Sequence, residues 1–304
     1  MYKMPFRVCV VVILFLSLAF LSFPKTGAHQ REGDPDVLAM MRQVNESLRA
    51  SGLNVAVEEI HFYTIGQGRP SNRLHQTGLR WVAGDQRRLA DGENITYLVD
   101  QSDGSTASGL TNAQTEAALD RAMDTWDSSQ CMNKVDIVKR ADSGADPDIF
   151  DAFFGFGGFG DPFLADIVEA GWLPKAFFDA VGGPGGGDGI LAFSVSFIFV
   201  DGAGNPTDIN GDGHLDTALN EVYYNDNFGN PGGTRPGNPW GINVALPGID
   251  VETVGLHENG HSLELGHFGP PPAAVMNPVY AGVRHTPLAI DKAGICAVWG
   301  SWPK

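Results

Sequence analysis

Residues 257–267 read His257-Glu258-Asn259-Gly260-His261-Ser262-Leu263-Glu264-Leu265-Gly266-His267, and no other stretch constrains the chain as tightly. On a helix, His257 and His261 are four apart, so both imidazoles leave from one face. That spacing suits two corners of a tetrahedral zinc site. Glu258 lies one residue off that face, where its carboxylate reaches a water at the metal. His267 completes the site if the chain turns sharply after the helix. Glu264 is seven residues from His257, so on a continued helix it would face the metal and replace His267. The intact spacing of the three histidines favours His267, with Glu264 pointing away. A buried helix of satisfied histidines is the bland alternative, and three histidines with a glutamate in this register disfavour it. Zinc, water and a placed carboxylate are the parts of metal-assisted hydrolysis.

The stretch resembles the long zinc motif of the metzincin proteases, H-E-x-x-H-x-x-G-x-x-H. It departs at the glycine, whose place is taken by Glu264. A residue with a side chain there must go left-handed, or the turn must differ. Further on, Ala274-Val275-Met276-Asn277-Pro278-Val279-Tyr280 resembles the methionine turn of that clan. Pro278 stands where astacins and serralysins carry a tyrosine, which makes the stretch similar to matrixins. Leu288 to Gly300 resembles the closing matrixin helix. Gly189-Ile190-Leu191-Ala192-Phe193-Ser194 resembles the matrixin edge strand, which holds an extended peptide by adding it to the sheet. Phe193 stands where that strand often carries a structural-zinc histidine, so a second zinc is not carried over.

The resemblance implies an α+β, zincin-like catalytic domain. It would have a twisted, mainly parallel mixed sheet, two long helices above a zinc cleft, and a small C-terminal subdomain with the methionine turn and a final helix. The implied activity is that of a zinc metalloendopeptidase acting on extracellular proteins, with His257, His261 and His267 on one catalytic zinc and Glu258 as general base. Met276 would be the apolar base under the metal. Gly189, Ile190, Leu191 and Ala192 on one side, and Pro278, Val279 and Tyr280 on the other, would hold the substrate. Two other readings stay open: a secreted binding or adhesion module that keeps zinc without turnover, and a zinc hydrolase of a non-protein amide.

Residues 1–28 read as a secretory signal peptide. Lys3 and Arg7 precede an apolar run from Val8 to Phe23, and Thr26-Gly27-Ala28 offers small residues for cleavage. The run is short for a membrane anchor, so the mature chain is expected outside the cell, with no stable membrane insertion. The segment carries three basic and no acidic residues, so losing it takes the formal charge from −16 to −19. A chain this acidic excludes nucleic acid held through its phosphates and attracts divalent cations. Protein or peptide substrates are the expected partners, and a monomer the expected state. Export permits disulfides. Cys9 leaves with the signal, and Cys131 and Cys296 remain. The resemblance places their helices near one another, which allows a bridge; two free buried thiols are the alternative.

Residues 29–78 look separate from the catalytic part at 79–304 and suggest a propeptide or a small accessory. Pro35 to Ala50 has a helical stripe of Val37, Leu38, Met41, Val44 and Leu48. Val55 to Phe62 alternates as a strand, and Gly66 to Asn72 reads as a linker. The segment has no cysteine, so latency by a cysteine on the metal is excluded. Thr111 and Gln114 form a capping box before a helix over 111–128. Within the glycine- and phenylalanine-rich region 143–188, Phe153 to Gly160 and Gly182 to Gly187 read as loops near the cleft rim. Asp208, Asn210, Asp212, His214 and Asp216 place side chains at EF-hand spacing, with Asp208, Asn210, Asp212 and Asp216 at the oxygen positions and Gly213 at position 6. The glutamate expected at position 12 is replaced by Leu219, with Glu221 two residues on. A structural calcium loop and a plain polar turn both fit.

Overall fold

The computed structural model describes residues 35–66, 77–88, 92–158 and 162–303. The expected signal segment and nearly all of the expected 66–72 linker lie outside them. The chain begins with helix α1 (Pro35–Ala50) and strand β1 (Val55–Thr64), then runs through β2 (Leu79–Arg80), β3 (Ile95–Val99), α2 (Asn112–Asp127) and β4 (Ile137–Lys139). Next come α3 (Ile149–Phe154), β5 (Ile167–Leu173), α4 (Lys175–Gly182), β6 (Ile190–Phe199) and β7 (Leu215–Asn225). A short pair, β8 (Trp240–Gly241) and β9 (Ile249–Asp250), leads into α5 (Val251–Ser262), and α6 (Ala289–Trp299) closes the chain. The result is mixed α+β, with six α-helices among the described residues around a mostly parallel mixed sheet.

The sheet order is β1-β6-β7-β5-β3-β4, with β2 alongside β7. Strands β2, β7, β5, β3 and β4 are parallel where they pair, whereas β6 runs against both β7 and β1. All residues of β5 and β6 are buried, as expected of strands covered on both faces. Adjacent side chains point to opposite faces, and Tyr223 and Tyr224 show the division. Tyr224 packs with α2, α5 and α6, while Tyr223 joins the phenylalanine-rich core under α1, α3 and α4.

Helix α2 starts where the capping pattern puts it, with Gln114 Oε1 accepting from the Thr111 N–H at 3.0 Å. Its Ala118, Leu119 and Ala122 face α5 at close range. A Cβ on Gly255 would come within 2.6 Å of Leu119 Cδ2, so this glycine sets how near the two helices lie. The bridge Cys131–Cys296, with Cα atoms 5.1 Å apart, joins the turn after α2 to α6.

Two sequence expectations meet a different outcome. The stretch from Phe153 is not all loop: Phe153 and Phe154 end α3, and Gly155 at φ 81° supplies the left-handed stop. Nor is β6 an open edge. Strand β1 covers it from Val55↔Phe199 to Thr64↔Ile190, so its outward N–H and C=O groups are already paired. Residues 35–66 thus contribute a strand to the main sheet, with Asn45 of α1 bonding both backbone groups of Val57 at 2.7 and 3.0 Å. Among the described residues, no helix is long and apolar enough to cross a membrane.

Candidate metal centre

Helix α5 is buried on every side although it carries His257, Glu258, Asn259, His261 and Ser262. Its backbone is fastened at both ends and along its length. Asp250 Oδ2 accepts from the Thr253 N–H at 2.9 Å as N-cap. Trp126, Trp81 and Trp299 donate their indole N–H groups to the carbonyls of Leu256, Ser262 and Leu263 at 2.8, 3.0 and 3.1 Å. The last two carbonyls belong to the orphan set at a helix C-terminus.

The helix ends in a Schellman turn. The Leu265 N–H reaches Gly260 O at 2.9 Å, and the Glu264 N–H reaches His261 O at 2.8 Å. Such a turn needs a left-handed residue at Glu264, and Glu264 takes φ 71°. Its carboxylate turns from the histidines and is buried, accepting from Thr77 Oγ1 at 2.6 Å and from Thr217 Oγ1. Burial pushes it up to about 7, although both hydroxyls pull the other way.

The turn delivers His267 to the other two histidines. The Nε2 atoms of His257, His261 and His267 form a triangle with edges of 3.2, 3.2 and 3.1 Å. Bonds of about 2.0–2.1 Å to a tetrahedral zinc would set nitrogens roughly 3.3–3.4 Å apart. The His257 Nδ1–H donates to Val275 O at 2.7 Å and the His261 Nδ1–H to Leu265 O at 2.6 Å. Those bonds leave Nε2 lone pairs facing one another, a repulsive arrangement that a cation resolves, so the donor set fits zinc. Burial holds His257 neutral, down to about 3, and pushes His261 and His267 well below the usual imidazole range.

Glu258 is fully buried, and neither carboxylate oxygen has a hydrogen-bond partner. Burial raises its proton affinity well above that of a free carboxyl, partly offset by the Ser194 hydroxyl, which falls short of hydrogen-bond geometry. Met276 is buried against α5: a Cβ on Gly260 would lie 2.2 Å from its Sδ. The turn that carries it hangs on Asp291, which accepts from the N–H groups of Val275, Met276 and Leu288 at 2.9, 3.2 and 2.8 Å.

The two expected substrate segments flank one strand, and that strand is β1. On one side Ala192 pairs with Tyr63, Ile190 with Thr64, and the Ile65 N–H donates to Gly189 O at 2.9 Å. On the other, the Thr64 N–H donates to Pro278 O at 3.2 Å and the Tyr280 N–H to Thr64 O at 2.8 Å, so Thr64 and Val279 run parallel. Leu191 is buried in the core behind them. Two rings of β1 lie on the histidines. Tyr63 stacks on His257 with centroids 3.8 Å apart, and His61 stacks on His261 at 4.2 Å. His61 offers a ring nitrogen within 4.8 Å of nitrogens of His261 and His267. Sequence reasoning missed His61 and Tyr63. Their two-residue spacing marks one strand face but does not say what that face meets.

The 208–216 loop spends its oxygens locally. Asp208 accepts from the N–H groups of Asp212 and Gly213, each at 3.0 Å, and Asn210 bonds Asp212. Asp212 also pairs with Arg80 and with the His214 N–H, and Asp216 with Arg87 and Thr207. Glu221 faces elsewhere, taking the N–H groups of Ile149 and Phe150. No protein-family model matches the chain, and no curated protein matches it.

Proposed function

We propose that the chain is a secreted zinc-dependent metalloendopeptidase of the metzincin type, nearest to matrixins, that cleaves peptide bonds of extracellular proteins. The observation that carries this reading is β1, an extended peptide lying across the histidine triangle between two backbones. A cleft that accepts main chain on both sides suits a polypeptide substrate better than a small amide. On this reading α2 and α5 are the long helices above the cleft. The residues after His267, with Met276 and α6, form the smaller subdomain beneath it.

His257, His261 and His267 would hold zinc, which when bound would supply a Lewis acid for activating water and polarising the scissile carbonyl. Glu258, unpartnered and one residue from His257, takes the proton of the attacking water and passes it to the leaving nitrogen. Backbone groups of Gly189, Ile190, Ala192, Pro278 and Tyr280 position the peptide. Leu191 backs this wall from the core.

The test uses protein cut between residues 66 and 77, as wild type and as Glu258→Gln. The variant should keep one zinc by native mass spectrometry and lose about hundredfold or more of casein hydrolysis. A variant as fast as wild type removes Glu258 as base. If Glu264→Ala loses the zinc and His267→Ala keeps it, the third ligand is reassigned.

A further inference from the structure

Strand β1 occupies the cleft without being placed to react. The rings of Tyr63 and His61 lie over His257 and His261, so side chains cover the face that a scissile carbonyl would approach. Glu258 is fully buried as well. The strand is also anchored from behind: Met40, Val44 and Leu48 of α1 share a core with Val55 and Val57, and Asn45 grips the Val57 backbone. We propose that residues 35–66 are a tethered inhibitor, with β1 filling the peptide cleft and His61 closing the open side of the metal site. The proposal rests on the peptidase reading. The tether matters because it turns blockade into an intramolecular event at millimolar effective concentration, which one cut in the linker abolishes.

The test loads the full chain with Co²⁺ in place of zinc and compares intact protein, protein cut between residues 66 and 77, and intact His61→Ala. Cutting should raise hydrolysis of a quenched fluorescent peptide at least tenfold. His61→Ala should raise it in the uncut chain and change the cobalt d–d spectrum. A changed spectrum without turnover in any form supports the cap and sinks the peptidase reading instead. An intact chain as active as the cut one, or a spectrum indifferent to His61→Ala, overturns the inhibitor.

A separate observation carries a second proposal. Asp100 follows β3, Asp103 lies in the next turn, Asp146 and Asp148 belong to the loop entering α3, and Asp151 to the first turn of that helix. Oxygens of Asp100, Asp146 and Asp148 lie within 4.8 Å of one another, as do those of Asp103, Asp146 and Asp151. Asp148 is 2% exposed, and neither of its oxygens has a partner. One oxygen each of Asp100, Asp146 and Asp151 is orphaned too. Asp148 stands at the N-cap of α3, where an aspartate ordinarily bonds the first N–H groups. Glu221 takes those instead, and Asp148 turns into the cluster. The charged groups acting most strongly on Asp148 are all carboxylates. We propose that these five aspartates hold a hard divalent cation, calcium by the oxygen-only donor set, which pins the 142–158 loop to the end of β3.

Metal-stripped full chain, titrated with Ca²⁺ while its melting temperature is followed, should gain about 5 °C or more at saturation. Asp148→Asn should melt higher than wild type without metal, because one buried repulsion is gone, and should no longer respond to Ca²⁺. Asp212→Asn, in the 208–216 loop, should respond as wild type does. No calcium response in wild type, or a response lost in Asp212→Asn and kept in Asp148→Asn, overturns the site.

Discussion

Glu264 occupies a backbone conformation that glycine takes at little cost, and its side chain returns part of that cost. A left-handed residue with a Cβ costs about 1–2 kcal/mol, while the carboxyl ties Thr77 on the N-terminal side of the sheet to Thr217 on β7. Two variants separate these effects. Glu264→Ala keeps the strain and strands two buried hydroxyls, so it should destabilise by about 2–4 kcal/mol. Glu264→Gly strands the same hydroxyls but relieves the backbone, and should be about 1 kcal/mol less harmful in urea unfolding. Equal losses would mean that the turn carries no strain. Gly260 poses the opposite case. Alanine would gain about 1 kcal/mol as a helix former, yet its Cβ would lie 2.2 Å from Met276 Sδ, beside Trp126. Overpacking of about 1–3 kcal/mol should win. The loss should shrink in a Met276→Ala background, which a double-mutant cycle reads directly.

At the scale of elements, the legible part of the site is the part made of neighbours in sequence. The spacing of His257, Glu258 and His261 on α5 needs only helical geometry, and His267 follows from the turn. What crosses the chain was not legible. The alternation of β1 marks His61 and Tyr63 as one face, but its partner β6 lies more than 120 residues on. The 208–216 loop matches calcium spacing, yet Arg80 and Arg87 arrive from another segment to take Asp212 and Asp216. The aspartate cluster joins two loops that carry no shared motif. The turn after His267 shows how elements cooperate. Asp291 of α6 holds the Val275 N–H, and Val275 O in turn fixes His257 Nδ1. Asp291→Ala should therefore cost about 2–4 kcal/mol for two buried N–H groups and one half-buried N–H group left unpaired. It should also weaken zinc binding about tenfold by loosening His257, measured by competition with a chromogenic chelator. Loss of stability with unchanged zinc affinity would show that the link stops at the turn.

Across the whole molecule, α5 is fastened to the sheet through two buried carboxyls. Glu169 on β5 accepts from Tyr224 OH at 2.7 Å and from the Asn259 amide, and Glu264 bonds Thr77 and Thr217 beyond the helix end. Burial raises each to about 7, against hydrogen bonds that favour the ionised form. The unfolded chain ionises these groups near 4.3. Between that pH and 7 the folded state therefore holds protons the unfolded state has released, so stability is greatest at the acid end and falls as pH rises. The expected loss is about 3 kcal/mol per group and complete above pH 7. Glutamine has the same shape and no charge to lose. The double variant Glu169→Gln/Glu264→Gln should thus resemble wild type near pH 4.5 and exceed it by several kcal/mol near pH 7.5, while contributions from every other titrating group cancel in the comparison. Urea unfolding of metal-stripped protein at the two pH values measures the difference. A gap that stays constant with pH would mean that these carboxyls are ionised in the fold throughout, and that the helix is held to the sheet by charged rather than neutral hydrogen bonds.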